Sequence, residues 1–142
     1  MINSNEVRRG SLVQYDNRIF EIDTISEEYP TLNTEEFGIG VVDWNNIEGI
    51  PLTEEWLLKF GFEQNVDGEF FFCLKENGSG ILKINAIYDD NDGRINVCLS
   101  LDDKSNEDCF AFWICDIEKV TNVHTLQNLY FALTGTELTY NL

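Results

Sequence analysis

The acidic turn at residues 89–93 (DDNDG) has the residue types of a calcium-binding loop. Such loops use closely spaced carboxylates together with a glycine at the sixth position. With Gly93 at that position, the first position is Tyr88 and the twelfth is Leu99, and neither side chain is a suitable oxygen ligand. The sequence therefore predicts no metal site and no bound cofactor at this turn.

One histidine and four cysteines are the remaining candidates for catalysis or metal binding. His124 has no nucleophile or acid motif around it, so we interpret it as structural or exposed. Cys73, Cys98, Cys109 and Cys115 form no C-x-x-C pair and lie in apolar runs, which is typical of buried, reduced thiols. We find no nucleophile elbow, phosphate loop, dinucleotide fingerprint or zinc-protease motif, and we predict a non-enzymatic protein without catalytic residues.

Acidic residues dominate the charge of the whole chain. Twenty-six acids oppose nine bases for a net charge of −17, and each third of the chain contributes to the excess. Such a surface repels nucleic acid phosphates and anionic membranes and attracts basic protein surfaces. The simpler interpretation is that the charge serves solubility alone. The candidate partner-binding residues are the acids of the predicted loops: Glu27, Glu28, Glu35, Glu36, Asp89, Asp90, Asp92, Asp102 and Asp103.

A short helix over residues 54–60 is the clearest local signal before the C-terminus. Thr53 can accept a hydrogen bond from the first helical turn, and Gly61 can adopt the left-handed conformation that ends a helix. Trp56 and Phe60 share one face, so the stability of this helix must come from packing. We expect it to join two β regions.

The first β region covers residues 1–49. A strand at 10–15, a tight Asp16-Asn17 turn and a return strand at 18–25 predict a hairpin. A polar loop and a glycine-containing strand at 37–43 follow. Together with the basic pair Arg8-Arg9, this pattern predicts an SH3-like or KOW-like half-barrel, while the surrounding acids argue against RNA binding.

The second region covers residues 50–142 and is expected to share a core with the first. A helix beginning at residue 121 or 122 and ending at Gly135 presents one apolar face, which we expect to lie on the meander. Six aromatic residues on the strands indicate either that helices cover both faces or that one aromatic strip stays open. We therefore predict an α+β fold in which the antiparallel meander comprises strands at 69–74, 81–88, 94–99 and 109–115.

Two segments look familiar together. They are PLTEEWLLKFGF at 51–62 and VHTLQNLYFALTG at 123–135, and RGSLV at 9–13 accompanies them. In order along the chain, they resemble small phage and mobile-element proteins of Bacteroides-like bacteria, a group with no assigned activity. The resemblance implies an accessory protein of a phage or prophage and transfers no functional residues.

These observations lead to one main functional hypothesis. The chain is expected to bind a basic host protein in the bacterial cytoplasm, without binding nucleic acid or membrane, and to inhibit a nucleic-acid-handling defence complex by charge complementarity or nucleic acid mimicry. The cytoplasmic location follows from the absence of a long apolar run or a signal-peptide core. Two alternatives remain open: a structural or homo-oligomeric phage component, and a small ligand-binding or hydrolytic domain that uses the acidic loops.

Overall fold

A computed structural model describes residues 2–26, 28–34, 38–77, 80–103, 112–117 and 120–141. Within them lie two antiparallel five-stranded sheets and two α-helices, which confirms the predicted α+β class. The chain divides into two compact units. The first comprises Met1–Pro51 and Asn122–Leu138, and the second comprises Leu52–Thr121 and Thr139–Leu142. The predicted boundary lies at residue 49, whereas in the structure the C-terminal helix belongs to the first unit.

The first unit is built on a meander whose fifth strand returns to the first. Its sheet order is β4-β3-β2-β1-β5, and a 3-10 helix at Trp44–Asn46 precedes the short fifth strand. This arrangement agrees with the predicted SH3-like region. Asp16 and Asn17 both have positive φ, as the predicted tight turn requires. The strands are β1 (Leu12–Tyr15), β2 (Arg18–Thr24), β3 (Thr31–Thr34), β4 (Gly38–Val41) and β5 (Ile47–Glu48).

One face of this sheet carries the core of the first unit. Alternate residues of successive strands, such as Val13, Ile22 and Leu32, point to that face and are buried. Ile2 and Val7 from the N-terminal segment close the cluster. The period-2 apolar pattern of the strands therefore has a direct structural counterpart.

The C-terminal helix α2 (Val123–Thr134) also belongs to the first unit. Asn122 and Thr125 form a capping box at its start, and Gly135 ends it with a φ of 71°. The helix packs on β1, whereas the sequence analysis placed it on the meander of the second unit. The physical reason is a set of polar contacts with the N-terminal segment that the apolar helix pattern does not reveal.

Gln127 provides the central polar contact of α2. Its buried side chain accepts a hydrogen bond from the backbone N–H of Leu12 at 2.8 Å and donates to the carbonyl of Gly10 at 3.1 Å. The amide thus satisfies two backbone groups of the β1 segment, as a neighbouring strand would.

Arg8 strengthens the same docking of α2. Its guanidinium donates to the side chain of Asn128 at 3.0 Å and to the carbonyl of Gln127 at 3.1 Å, and it pairs with Glu137. It also lies over the Phe131 ring, 4.4 Å from the centroid. Arg8, considered above as a possible RNA contact, is therefore engaged within the first unit.

The second unit contains the predicted antiparallel meander with an added short strand. Its sheet order is β10-β9-β8-β7-β6, and each described neighbour is antiparallel. Tyr140, near the C-terminus, packs on Trp56 of the helix of this unit. The strands are β6 (Glu63–Gln64), β7 (Phe70–Asn77), β8 (Gly80–Asp89), β9 (Arg94–Asp103) and β10 (Phe112–Ile117).

Helix α1 (Glu54–Lys59) begins and ends as predicted. The Thr53 hydroxyl accepts from the backbone N–H of Trp56 at 3.4 Å, and Gly61 has a φ of 83°. Trp56 is only 6% exposed and contacts the rings of Phe60 and Tyr140. Neither helix in the described part of the chain has the length and apolar character that a bilayer crossing needs.

The faces of the second sheet differ in character. Phe70, Ile84 and Ala86 share a buried face, and Phe72 on that face contacts Phe62 with a centroid distance of 5.2 Å. Phe71 lies on the opposite face and is half-buried. The Lys83 ammonium lies over its ring, 4.9 Å from the centroid. Helix α2 belongs to the first unit, and α1 is the helix of the second unit.

Candidate acidic interface

Two acidic turns lie at the same end of the second sheet. The turn at 65–69 leads into β7, and the turn at 90–93 joins β8 to β9. Because Phe70 pairs with Ala86, the start of β7 lies beside the last residues of β8. We call this region the acidic end, and it comprises Asp67, Glu69, Asp89, Asp90 and Asp92.

The first turn of the acidic end is held by one asparagine. The Asn65 side-chain oxygen accepts from the backbone N–H groups of Asp67 at 3.0 Å and Glu69 at 2.9 Å. Its amide group donates to the Glu69 carboxylate at 3.0 Å. Such side-chain to backbone bonds fix a turn without help from a regular ladder. The carboxylates of this turn are therefore presented in a defined arrangement.

The second turn is held by its own carboxylates. Asp89 accepts from the backbone N–H of Asn91 at 2.8 Å and from the side chain of Asn91 at 3.0 Å. The backbone N–H, followed by the amide side chain, holds the pKa of Asp89 below its ordinary value. Asp92 accepts from the backbone N–H of Arg94 at 2.9 Å, and Asp90 is exposed. These hydrogen bonds thus favour the charged form of Asp89.

Two apolar side chains are exposed among these acids. Tyr88, next to Asp89 on β8, is 50% exposed, and Val66 in the first turn is fully exposed. Exposed tyrosines often anchor protein interfaces because they bury a large area at a low entropic cost. The acidic end therefore combines several carboxylates with one exposed aromatic side chain.

Asp102 lies at the opposite end of the same sheet. It pairs with Ile81 in the ladder, whereas Asp89 at the other end pairs with Arg94. Arg94 precedes Asp102 by eight residues on β9, so the two ends are about 26 Å apart. The half-buried Asp102 carboxylate is bound to the Lys83 ammonium. The predicted acids of this unit consequently do not converge on one site, and Asp102 is already paired within the chain.

The other predicted acids lie in the first unit or outside the described residues. Glu28 is exposed in the segment before β3. The backbone of Asp103 ends β9, and its side chain is outside the described part. Three further predicted positions lie outside the described residues altogether: Glu27, Glu35 and Glu36.

Most basic side chains of the described residues lie near acids of the same chain. Five of them lie within ion-pairing distance of a carboxylate. Each pair neutralises one acid as well as one base, so the negative excess comes from the twenty-six acids and nine bases of the chain. The five pairs are Arg8–Glu137, Arg9–Asp23, Lys59–Glu55, Lys83–Asp102 and Arg94–Asp92.

The residues considered first for catalysis have different surroundings. His124 is buried, its Nδ1 has no hydrogen-bond partner within the described part of the chain, and burial lowers the pKa of its imidazole. Cys98 is buried as predicted and donates to the Asn85 carbonyl at 3.7 Å, whereas Cys73 is exposed, so its predicted burial is wrong. Among the described residues, no group of three or more histidines, cysteines and acids is arranged to hold a metal ion.

Sequence reasoning missed Asp67, Glu69 and Tyr88 as parts of one surface. The two turns are more than twenty residues apart in the chain, and only the strand register brings them to one end of the sheet. Predicting that neighbouring strands of the meander pair in order could have placed them together. No protein-family model, curated protein or solved structure matches the chain.

Proposed function

We propose that this chain is a non-enzymatic protein that binds a basic surface of a host protein through its acidic end. The main support is the excess of twenty-six acids over nine bases, together with the exposed carboxylates that the second sheet brings to its acidic end. Charge complementarity accelerates association and selects partners. The exposed Tyr88 supplies an anchor whose burial would add affinity beyond the electrostatic attraction.

The class of partner follows from the sign and density of the charge. A surface with a net charge of −17 competes with nucleic acid for the basic channels of proteins that handle it. The resemblance of residues 51–62 and 123–135 to phage and mobile-element segments supports a bacterial host as the setting. We therefore propose inhibition of a nucleic-acid-handling defence complex by occupation of its basic surface.

Capture from a bacterial host lysate tests this function. The tagged chain is expected to retain a protein with a basic nucleic-acid-binding surface, and added nucleic acid should displace that protein. Raising the salt from about 0.1 M to about 1 M shortens the Debye length from about 10 Å to about 3 Å and should weaken the complex. Recovery of no basic protein, or binding indifferent to salt, would refute the proposal.

A further inference from the structure

Strand β4 forms one edge of the first sheet, and among the described residues it pairs on one side only. Its partner is β3, with Leu32 opposite Gly40 and Thr31 opposite Val41. The Val42 backbone N–H donates to the Pro30 carbonyl at 3.2 Å. This bond shows which residue pairs of the β3–β4 ladder are hydrogen-bonded and which are not. By the alternation of antiparallel pairs, Gly40 bonds to β3, and the N–H and C=O groups of Val41 point away from the sheet.

The same alternation makes Ile39 and Asn33 a non-hydrogen-bonded pair. The N–H and C=O groups of Ile39 therefore also point away from β3. The edge therefore presents four backbone groups, two donors and two acceptors, from Ile39 and Val41. This is the pattern that an incoming antiparallel strand requires.

The other sheet edges carry features that oppose strand addition. β5 and β6 contain two residues each, and β6 presents Glu63. β10 contains a register shift between Trp113 and Cys115, together with Asp116. Short length, bulges and charges are the usual protections of an edge strand. β4, whose sequence is GIGV, is regular in its pairing and contains neither a charge nor a proline.

The surroundings of β4 indicate the chemistry of an incoming strand. Val41 is 67% exposed, and Tyr29, which precedes β3 at the same end of the β3–β4 pair, is 53% exposed. Glu28 and Asp43 are exposed in the segments flanking that end. Apolar side chains beside carboxylates favour an extended segment in which apolar and basic residues alternate.

We propose that an extended basic segment of a partner protein adds to β4 as a sixth strand of the first sheet. The inference rests on the proposed function, since it assumes a basic protein partner. It adds the edge of β4 as a second contact surface besides the acidic end. A second copy of this chain is a poorer occupant, because two chains of net charge −17 repel each other.

Peptide titration of the isotope-labelled full chain tests the strand addition. The probe is a short peptide of alternating lysine and valine, with a glutamate–valine peptide as the charge control. We expect the lysine peptide to shift the backbone amide signals of Ile39 and Val41 and to slow their hydrogen exchange, because both N–H groups become bonded. Absence of binding, or binding that leaves these two amides unchanged, would overturn the inference.

Val41→Pro is the decisive variant because it removes an outward-facing donor while sparing the ladder to β3. We expect it to weaken lysine-peptide binding about tenfold, while Val41→Thr, which keeps the N–H, stays within about twofold. Equal binding by both variants would contradict strand addition. The amide shifts of the unmodified chain provide a test that does not depend on the folding of the proline variant.

Two further outcomes separate this inference from the proposed function. If the host partner binds in a salt-sensitive manner and Val41→Pro has no effect on it, the strand addition is wrong and the proposed function stands. If the chain forms a dimer that Val41→Pro abolishes, a second copy occupies β4, and the basic-segment proposal is wrong.

Discussion

Gln127 shows how one polar side chain decides where a helix packs. It lies on α2 beside apolar residues, and its amide bonds to Leu12 and Gly10 of the β1 segment. A buried amide is tolerated because both its donor and its acceptor are used. Removing it leaves two backbone groups without partners in a buried setting.

Gln127→Ala should lower the free energy of unfolding by about 2–4 kcal/mol, because the Leu12 N–H and the Gly10 carbonyl lose their hydrogen bonds to this side chain. Urea unfolding measures this change. Leu133→Ala, at an exposed position of the same helix, is the control and should cost less than about 1 kcal/mol. A smaller loss for Gln127→Ala than for the control would contradict the assigned role.

His124 should make stability depend on pH. Burial keeps its folded-state pKa below the unfolded value of 6.5, against an opposing effect of Glu6. Above pH 6.5 the imidazole is neutral in the folded and the unfolded state, and its contribution to the free energy of unfolding is fully present. As the pH falls below 6.5, the unfolded state binds a proton first, and stability declines until the pH passes the folded pKa.

His124→Gln isolates that contribution from the many carboxylates. The difference in unfolding free energy between the native chain and His124→Gln should be constant above about pH 7 and should change below it by at most about 1.4 kcal/mol per pH unit. Urea unfolding over a pH series measures both proteins. Parallel stability profiles down to pH 5 would show that His124 does not titrate differently on folding.

Helix α1 is the element that the sequence predicted most completely. Its cap, its end and its apolar face are all local signals, and the structure confirms them at Thr53, Gly61 and Trp56. The contact of Tyr140 with Trp56 was not predicted, because it joins positions far apart in the chain. Local physics specifies an element's existence and faces, while its partner depends on longer-range contacts.

Trp56→Ala should cost about 3–5 kcal/mol of unfolding free energy, because a buried indole and its ring contacts are lost. Denaturant unfolding of the full chain provides the measurement. Leu58→Ala, at an exposed position of the same helix, should cost less than about 1 kcal/mol. Similar losses for the two variants would mean that α1 is not held by its apolar face.

The placement of α2 and of the acids shows where sequence reasoning stops. The apolar pattern of α2 predicted a buried face but could not identify the sheet it meets, which depends on Arg8, Gln127 and Asn128. Similarly, Asp102 looked like an available acid of a charged loop. The cross-strand register brings Lys83 to it, and that register depends on the pairing of whole strands.

At the scale of the whole molecule, charge is the most informative property. The excess of seventeen negative charges is a property of composition, and the structure adds which of the described cations lie beside acids of the same chain. Net repulsion of this size costs stability. At the acidic end and near the edge of β4, exposed carboxylates lie close to exposed apolar side chains.

The most direct test of the account is the salt dependence of partner binding with the acidic end neutralised. Calorimetry with the captured basic host protein compares two triple variants that each remove three exposed charges. The test variant carries Asp67→Asn, Asp90→Asn and Asp92→Asn, and the control carries Glu21→Gln, Glu48→Gln and Glu54→Gln.

We expect the test variant to bind about tenfold more weakly and with a shallower dependence on salt, because the charges that contact the partner are gone. The control variant should stay within about twofold of the native chain, since it loses the same net charge elsewhere. Equal affinities for the two variants, or a native affinity that does not change with salt, would contradict binding through the acidic end.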